Sequence, residues 1–172
     1  MTMKHTKKMI LLANFLAIAI VLSLIESMIN IFPIPGIKIG FANVVTLIVL
    51  YIYSFKDGLA MTLLRVILVS VLSGRLFGPT FYMGFTGALF SFLVMGFLKK
   101  LNYFSILGVS VIGAISHIIG QMTAGIFVIG STIILYWMPV MLLVSIPAGI
   151  VTGLIAKRFL TLWSTWHNEI DI

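Results

Sequence analysis

Long apolar runs are the feature of this sequence that most limits what the chain can fold into. Six segments are apolar over most of their length. They are Met9–Ile31, Ile37–Phe55, Leu59–Leu72, Phe81–Leu98, Phe104–Ile129 and Ile133–Ala156. Because runs of about 18 or more apolar residues are typical of membrane-spanning helices, the sequence predicts an all-α integral membrane protein built as a six-transmembrane-helix bundle.

Charged residues are too few to coat a water-soluble domain. They make up 9% of the 172 residues, and apolar residues make up 61%, whereas a soluble domain has roughly 25% charged residues. At about 20 residues per crossing, six short-looped spans use the whole length, which excludes a separate soluble catalytic domain. The absence of cysteine excludes disulfides and Cys-ligated metal sites.

The sequence predicts one membrane domain, residues 1–158, and an amphipathic tail, residues 159–172. The large apolar residues of the tail share one helical face, and they are Phe159, Leu162, Trp163 and Trp166. Since tryptophan favours the membrane–water boundary, we interpret the tail as a cytoplasmic interfacial anchor. A helix that docks on a partner is the alternative.

Basic residues predict the orientation of the spans. With the N-terminus in the cytoplasm, the cytoplasmic side collects Lys4, Lys7, Lys8, Lys56, Lys99, Lys100, Lys157 and Arg158. The outer side holds Lys38 and Arg75. This bias is typical of a multi-pass protein of the cell (cytoplasmic) membrane, here with both termini cytoplasmic. It indicates orientation in membrane lipid rather than a nucleic-acid partner.

The second and third spans have an alternative arrangement. If they formed a re-entrant hairpin, four true spans would give the same charge balance. Lys56 and Asp57 would then lie at mid-membrane, where a lysine costs about 2.5–3.5 kcal/mol. We therefore favour six spans.

Six polar residues are the candidate substrate-binding residues. They are Glu26, Asn30, Lys38, Asn43, His117 and Gln121. Polar groups within spans are costly in lipid and are often functional, and a rise of about 1.5 Å per residue places these in the outer leaflet. They predict an outward-facing pocket beneath a loop lid.

Each of these residues also has a structural alternative. Glu26 is then a protonated or paired structural carboxyl. His117 and Gln121 share a helix face and hydrogen-bond a neighbouring helix, worth roughly 0.6 kcal/mol each. Asn43 caps the second span, which we favour over ligand contact.

Arg65 is predicted to be a structural intramembrane charge. It lies about 9 Å inside the cytoplasmic start of the third span, where it can snorkel or bind backbone carbonyls. At that depth a direct bridge to Glu26 is too long.

Small residues four apart let helices approach closely in lipid. Ala13 and Ala17 form such a pair in the cytoplasmic half of the first span. They either pack the bundle or face a partner. The pairs Gly84/Ala88 and Gly87/Ser91 in the fourth span repeat the spacing, and we expect most such pairs to pack the bundle.

The sequence offers little for catalysis. Its acids are Glu26, Asp57, Glu169 and Asp171, with no two close enough in the membrane body to hold Mg²⁺. There is no phosphate-binding G-x-x-x-x-G-K-[ST] motif, and the three histidines are dispersed. We therefore expect no enzyme activity, no cofactor and no metal.

The segment Pro33-Ile34-Pro35-Gly36-Ile37-Lys38-Ile39-Gly40-Phe41-Ala42-Asn43-Val44-Val45-Thr46-Leu47 resembles the signature of the Gx transporter family, also named heptaprenyl diphosphate synthase component I. Phe55-Lys56-Asp57-Gly58, Leu64-Arg65-Val66 and Ser116-His117-Ile118-Ile119-Gly120-Gln121 follow in the matching order. The resemblance covers about residues 9–156.

That family is related to the substrate-binding S components of energy-coupling factor transporters. The resemblance implies six helices, a pocket near the outer face under the loop between the first two helices, and vitamin-like substrates. It also implies that Ala13 and Ala17 dock on a coupling transmembrane subunit that works with two ATPases. Pro33–Gly40 would correspond to the lid.

Two functions follow as expectations. The first is a substrate-capturing membrane subunit for ATP-driven uptake of a small organic compound. The second is a non-catalytic accessory subunit, either of a prenyl diphosphate synthase or of a flavin- and quinone-dependent extracellular electron transfer system with an extracytoplasmic redox partner. The chain has no aspartate-rich D-D-x-x-D motif of its own.

Overall fold

The computed structural model describes residues 3–28, 38 and 40–170, with side chains described for 5–28, 38 and 40–165. The described residues are 88% helical and contain no strands. The helices are α1 Met3–Met28, α2 Asn43–Ile52, α3 Phe55–Leu72, α4 Pro79–Leu101, α5 Ile106–Ile129 and α6 Met138–Ile170, with a 3₁₀ segment, Thr132–Trp137, before α6. The prediction of an all-α protein is confirmed.

Four of these helices are long and apolar enough to cross a membrane. They are α1, α4, α5 and α6, the last counted together with the 3₁₀ segment before it. By length and composition the chain is therefore a membrane protein. The count of six spans stays a prediction, because α2 is short and α3 carries Lys56, Asp57 and Arg65.

The predicted bounds of the second span are wrong. The helix begins at Asn43 rather than Ile37 and has ten residues, so it rises about 15 Å, half of the roughly 30 Å hydrocarbon core. Gly40 precedes it with a φ of +92°, a conformation that a helix cannot contain. The hydropathy pattern does not reveal this break, because the residues on both sides of it are equally apolar.

The predicted turn at Lys56–Gly58 is also wrong, because these residues form the first turn of α3. The break lies at Tyr53 and Ser54. The Ser54 hydroxyl accepts from the backbone N–H of Asp57 at 3.2 Å, and the backbone N–H of Ser54 donates to the Asp57 carboxylate at 3.1 Å. This reciprocal cap satisfies two free N–H groups and starts the helix four residues early.

One end of the bundle is fixed by lysines. Lys8 Nζ of α1 lies 2.7 Å from Asp57 Oδ2 of α3, and Lys99 Nζ of α4 donates to the Leu50 carbonyl of α2 at 2.6 Å. We call this the lysine end, defined by Lys8, Asp57 and Lys99. It gathers residues that the sequence placed on the cytoplasmic side, although the orientation itself stays a prediction.

Helices α4 and α5 approach closely at Gly87 and Gly120. A Cβ at Gly87 would lie 2.6 Å from Gln121 Cγ and 2.9 Å from the His117 carbonyl oxygen. A Cβ at Gly120 would lie 2.8 Å from the Thr86 carbonyl oxygen. These small residues therefore pack helix against helix, which sets the position of His117 and Gln121 relative to α4.

The last helix continues without a break past residue 158, so residues 159–170 of the predicted tail are part of α6. Its aromatic side chains contact α1: the ring centroid of Phe15 lies 5.8 Å from that of Phe159 and 6.2 Å from that of Trp163. Phe159 and Trp163 thus pack on the bundle. The side chain of Trp166 is outside the described residues.

Candidate functional site

The polar residues of four helices meet around a small, partly open cavity at the start of α2. Glu26 of α1, Asn43 of α2, Arg65 of α3 and His117 of α5 line it together with Lys38 of the α1–α2 connection. The cavity has a volume of about 40 Å³. One water needs roughly 10–15 Å³, so the cavity has room for a few waters or one small polar group.

A hydrogen-bond chain runs through the buried wall of this cavity. Arg65 Nη2 donates to Asn43 Oδ1 at 3.1 Å, and Asn43 Nδ2 lies 3.4 Å from both Ser91 Oγ and His117 Nδ1. His117 Nε2 lies 3.0 Å from Gln121 Nε2. Buried polar groups need partners, and this chain supplies them from α2, α3, α4 and α5.

The prediction that Asn43 caps the second span is wrong. Asn43 is the first residue of α2, but the preceding Ala42 occupies the cap position and no side chain bonds the helix start. The amide of Asn43 instead contacts Arg65, Ser91 and His117. The helix start is closed by the backbone, since the Asn43 N–H donates to the Gly40 carbonyl at 2.9 Å.

The placement predicted for Arg65 is wrong as well. Its side chain is 4% exposed and lines the cavity, rather than lying apart near the cytoplasmic boundary. Because α3 begins at Phe55, Arg65 lies about 15 Å along the helix, level with the start of α2. The expectation that it forms no direct bridge to Glu26 agrees with the structure, where the ion pair among described side chains joins Lys8 and Asp57.

Glu26 holds the connection between α1 and α2. One of its carboxylate oxygens accepts from the backbone N–H of Gly40 and, at 3.4 Å, from that of Phe41. Gly40 is required here for two reasons. Its φ is +92°, and a Cβ would lie 2.9 Å from Asn43 Nδ2 and 3.4 Å from the His117 ring.

Lys38 completes the cationic side of the cavity. Its backbone N–H donates to Gln121 Oε1 at 3.4 Å, and its side chain lines the cavity beside Glu26. Burial lowers the pKa of the Lys38 ammonium; the carboxylate of Glu26 opposes this change, and the guanidinium groups of Arg65 and Arg75 add to it.

The structure thus brings five of the six predicted site residues together, and whether they bind a ligand stays a prediction. They are Glu26, Lys38, Asn43, His117 and Gln121. Asn30 and most of the predicted lid lie outside the described residues. Ser91 and Gly40 were missed as site residues because neither carries a charge or a long polar side chain that marks it in the sequence.

No three His, Asp and Glu side chains within the described residues lie close enough together to hold a metal ion. The predicted docking pair lies elsewhere on the bundle. Ala13 and Ala17 are both exposed on α1, as is Asn14 between them. Neither lines the cavity, and α1 is the most exposed of the four long apolar helices, with 17% of its most apolar stretch buried.

A family model for heptaprenyl diphosphate synthase component I matches residues 15–159. The chain belongs to the heptaprenyl diphosphate synthase component I family. The match contains every described residue of the cavity and ends at Phe159, on the aromatic contact with α1. The predicted resemblance to this family is confirmed, whereas the relationship to S components stays a prediction.

No curated protein and no solved structure matches the chain. The family name describes a component of a synthase or a transporter-like membrane protein. Any finer function for this family member has to come from the arrangement of its own residues.

Proposed function

We propose that this family member is a membrane-embedded substrate-binding subunit. It captures a small organic compound, similar to a vitamin or cofactor, at the outer face for ATP-driven uptake with separate coupling and ATPase proteins. The observation that carries the proposal is the convergence of Glu26, Lys38, Asn43, Arg65 and His117 on one cavity.

The free-energy cost of placing these ionisable side chains within a membrane bundle supports a binding role. Ionisable side chains within a membrane bundle are expensive and are typical of substrate or ion sites. A purely structural role requires each group to be paired with another, as Asn43 is with Arg65. In this site the charged groups of Glu26 and Arg65 share a cavity without pairing directly, which is the arrangement expected where a ligand completes the set.

The exposed face of α1 is evidence that the protein binds a partner helix. Ala13 and Ala17 present little side-chain volume, so a second helix can approach the backbone closely. Asn14 adds an exposed amide on the same face, and an amide in lipid is favourable when it hydrogen-bonds to another helix. We propose that this face docks on the coupling subunit.

The test is isolation of the complex from native membranes in mild detergent, followed by mass spectrometry and ATPase measurement. We expect a membrane coupling subunit and ATPases to co-purify. Ala13→Leu and Ala17→Leu should abolish this association while the purified chain still folds. Ala60→Leu, the same change at an exposed position of α3, is the matched control. Unchanged association in the α1 variants would contradict the docking proposal.

The family description favours a second candidate, a non-catalytic accessory subunit of a prenyl diphosphate synthase. The chain contains no adjacent aspartates, so a soluble partner would supply the Mg²⁺-binding chemistry of such an enzyme. The same isolation decides between the two. Recovery of a prenyl synthase, or of an extracytoplasmic redox protein, without ATPases would support the accessory role and contradict the uptake role.

A further inference from the structure

Arg65 is a buried cation with spare hydrogen-bonding capacity. Its side chain is 4% exposed, and among the described residues one hydrogen bond to it is seen, from Nη2 to Asn43 Oδ1. A guanidinium carries five N–H donors in a planar fork. Arg65 lines the cavity, so the donors that Asn43 does not use are available to a group bound there.

No carboxylate of the described side chains pairs with Arg65. The ion pair within 4 Å joins Lys8 and Asp57 at the lysine end. Glu26 lines the same cavity, but one of its oxygens already accepts from the backbone N–H groups of Gly40 and Phe41. A buried charge gains most from a direct, hydrogen-bonded partner. Among the described side chains Arg65 has Glu26 only as a nearby charge across the cavity, so an anion bound there would supply the direct partner.

The formal charges of the cavity wall determine how much negative charge a ligand must carry to neutralise the wall. Lys38 and Arg65 contribute two positive charges, and Glu26 contributes one negative charge. The two ring nitrogens of His117 lie 3.4 Å from Asn43 Nδ2 and 3.0 Å from Gln121 Nε2, and we count this imidazole as neutral. The wall therefore carries one excess positive charge, and a single negative charge neutralises it.

We propose that the cavity binds the carboxylate group of an organic monoanion, with the guanidinium of Arg65 as the specificity-determining contact. This inference rests on the proposed substrate-binding function and names the chemical class of its substrate. Asn43 acts as a positioning residue, because its Oδ1 fixes one edge of the guanidinium and leaves the others directed at the ligand.

The volume of the cavity agrees with a carboxylate. About 40 Å³ accepts a group of a few heavy atoms, whereas a pocket for a whole drug-sized ligand measures roughly 300–1,000 Å³. The charged group therefore occupies the cavity, and the rest of the compound lies beyond its mouth. A phosphate ester is larger and carries up to two charges, which would leave the wall with excess negative charge.

The test compares a carboxylate with its neutral isostere on the purified full-length chain. The protein is placed in phosphatidylcholine nanodiscs, so that no anionic lipid competes, and is titrated at pH 7 with hexanoate, hexanamide and hexyl phosphate. We expect hexanoate to raise the unfolding temperature in a saturable manner. Hexanamide and hexyl phosphate should raise it less at every concentration.

Three variants assign the effect to this cavity. Arg65→Gln should weaken hexanoate binding by about tenfold or more, the loss expected for a charge-assisted pair of hydrogen bonds. Arg65→Lys keeps the positive charge but loses the planar set of paired N–H donors, so this variant should bind hexanoate with intermediate affinity. Arg158→Gln, at an exposed basic residue of α6 that does not line the cavity, is the matched control and should bind like the wild type.

Glu26→Gln should change the affinity for hexanoate in the direction opposite to Arg65→Gln. It retains an acceptor for the Gly40 and Phe41 N–H groups and removes the one negative charge of the wall, so hexanoate should bind more tightly than to the wild type. This variant keeps the proposal testable even if Arg65→Gln fails to fold. Equal binding of hexanoate and hexanamide, tighter binding of hexyl phosphate, or weaker binding in Glu26→Gln would each overturn the carboxylate assignment.

The failure of this inference can be told apart from the failure of the proposed function. The titration uses the chain alone and needs no ATPase. Carboxylate binding without ATPase partners would contradict only the uptake role, and ATPase partners with no preference for the carboxylate would contradict only the assignment made here.

Discussion

The guanidinium of Arg65 on α3 donates a 3.1 Å hydrogen bond to the side-chain oxygen of Asn43, the first residue of α2. This bond joins the two shorter helices at the level where α2 begins. It also links the buried cation to the chain that runs on to His117 and Gln121. The stability of the polar cluster should therefore depend on Asn43 as much as on Arg65.

Replacing the Asn43 amide should destabilise the protein. Asn43→Leu leaves the guanidinium of Arg65 without its acceptor in a buried site, which costs about 1–3 kcal/mol. The measurement is the unfolding temperature in detergent. Asn14→Leu makes the same change at an exposed position on α1 and should leave the unfolding temperature unchanged or raise it. Equal effects of the two variants would contradict a structural role for the Arg65–Asn43 bond.

The close approach of α4 and α5 should tolerate no added methyl groups. Gly87→Ala and Gly120→Ala place a Cβ within 2.6 and 2.8 Å of atoms on the facing helix, and overpacking of this kind typically costs about 1–3 kcal/mol. Gly84→Ala on the same face of α4 meets nothing within 4 Å. It should be neutral or stabilising, because alanine is favoured over glycine in a helix by up to about 1 kcal/mol. Thermal unfolding of the three variants checks this order.

The ion pair at the lysine end should make stability depend on pH in the acid range. Partial burial would raise the pKa of Asp57, but the Lys8 ammonium and the Ser54 hydroxyl and backbone N–H outweigh it and hold the pKa below its ordinary value. The pair therefore stabilises the fold above the unfolded-state pKa of roughly 3.9, and its contribution is lost as the pH falls through the lower folded-state pKa.

Lys8→Gln measures that contribution. Because the pair is partly exposed, the variant should lose about 0.2–1 kcal/mol between pH 5 and 8. The difference from the wild type should shrink as the pH falls below about 4. Lys7→Gln, an exposed neighbour, is the control. A difference for Lys8→Gln that grows toward low pH would contradict the assignment.

The aromatic contact between α1 and α6 should contribute to folding. Trp163→Ala removes the ring that lies 6.2 Å from Phe15 and 5.9 Å from Phe159, and aromatic pairs are worth about 0.5–1.5 kcal/mol beyond their buried area. Leu162→Ala changes the adjacent residue, which is 49% exposed, and should have little effect on the unfolding temperature. Equal unfolding temperatures would mean that the end of α6 is an independent tail.

The sequence predicted α4 and α5 well, because hydropathy decides their extent. Helix α1 begins six residues before the predicted first span, and α6 runs 14 residues past the predicted sixth span. The fifth predicted span, Phe104–Ile129, differs from α5 by two residues at one end. The second span failed because the start of α2 depends on a single glycine, Gly40, whose positive φ has no counterpart in hydropathy. The start of α3 failed because Asp57 acts as a capping partner rather than as a turn residue.

The candidate site was partly predictable for a related reason. Glu26, His117 and Gln121 stand out because polar groups in apolar runs are costly, and their convergence followed from similar depths. Arg65 was misplaced because its depth was counted from a helix start that was four residues late. Ser91 could not be predicted, since a small hydroxyl gains its role only from the neighbour that packs against it.

Helix α2 is held differently at its two ends, and this determines where it yields first. At its carboxyl end the Leu50 carbonyl receives an ammonium group at 2.6 Å, a short charged contact that is costly to break in a nonpolar setting. At its amino end the Asn43 amide is held by longer bonds of 3.1–3.4 Å. We therefore expect any displacement of α2 to be larger at Asn43 than at the end bound by Lys99, and such a displacement would change the shape of the cavity that Asn43 lines.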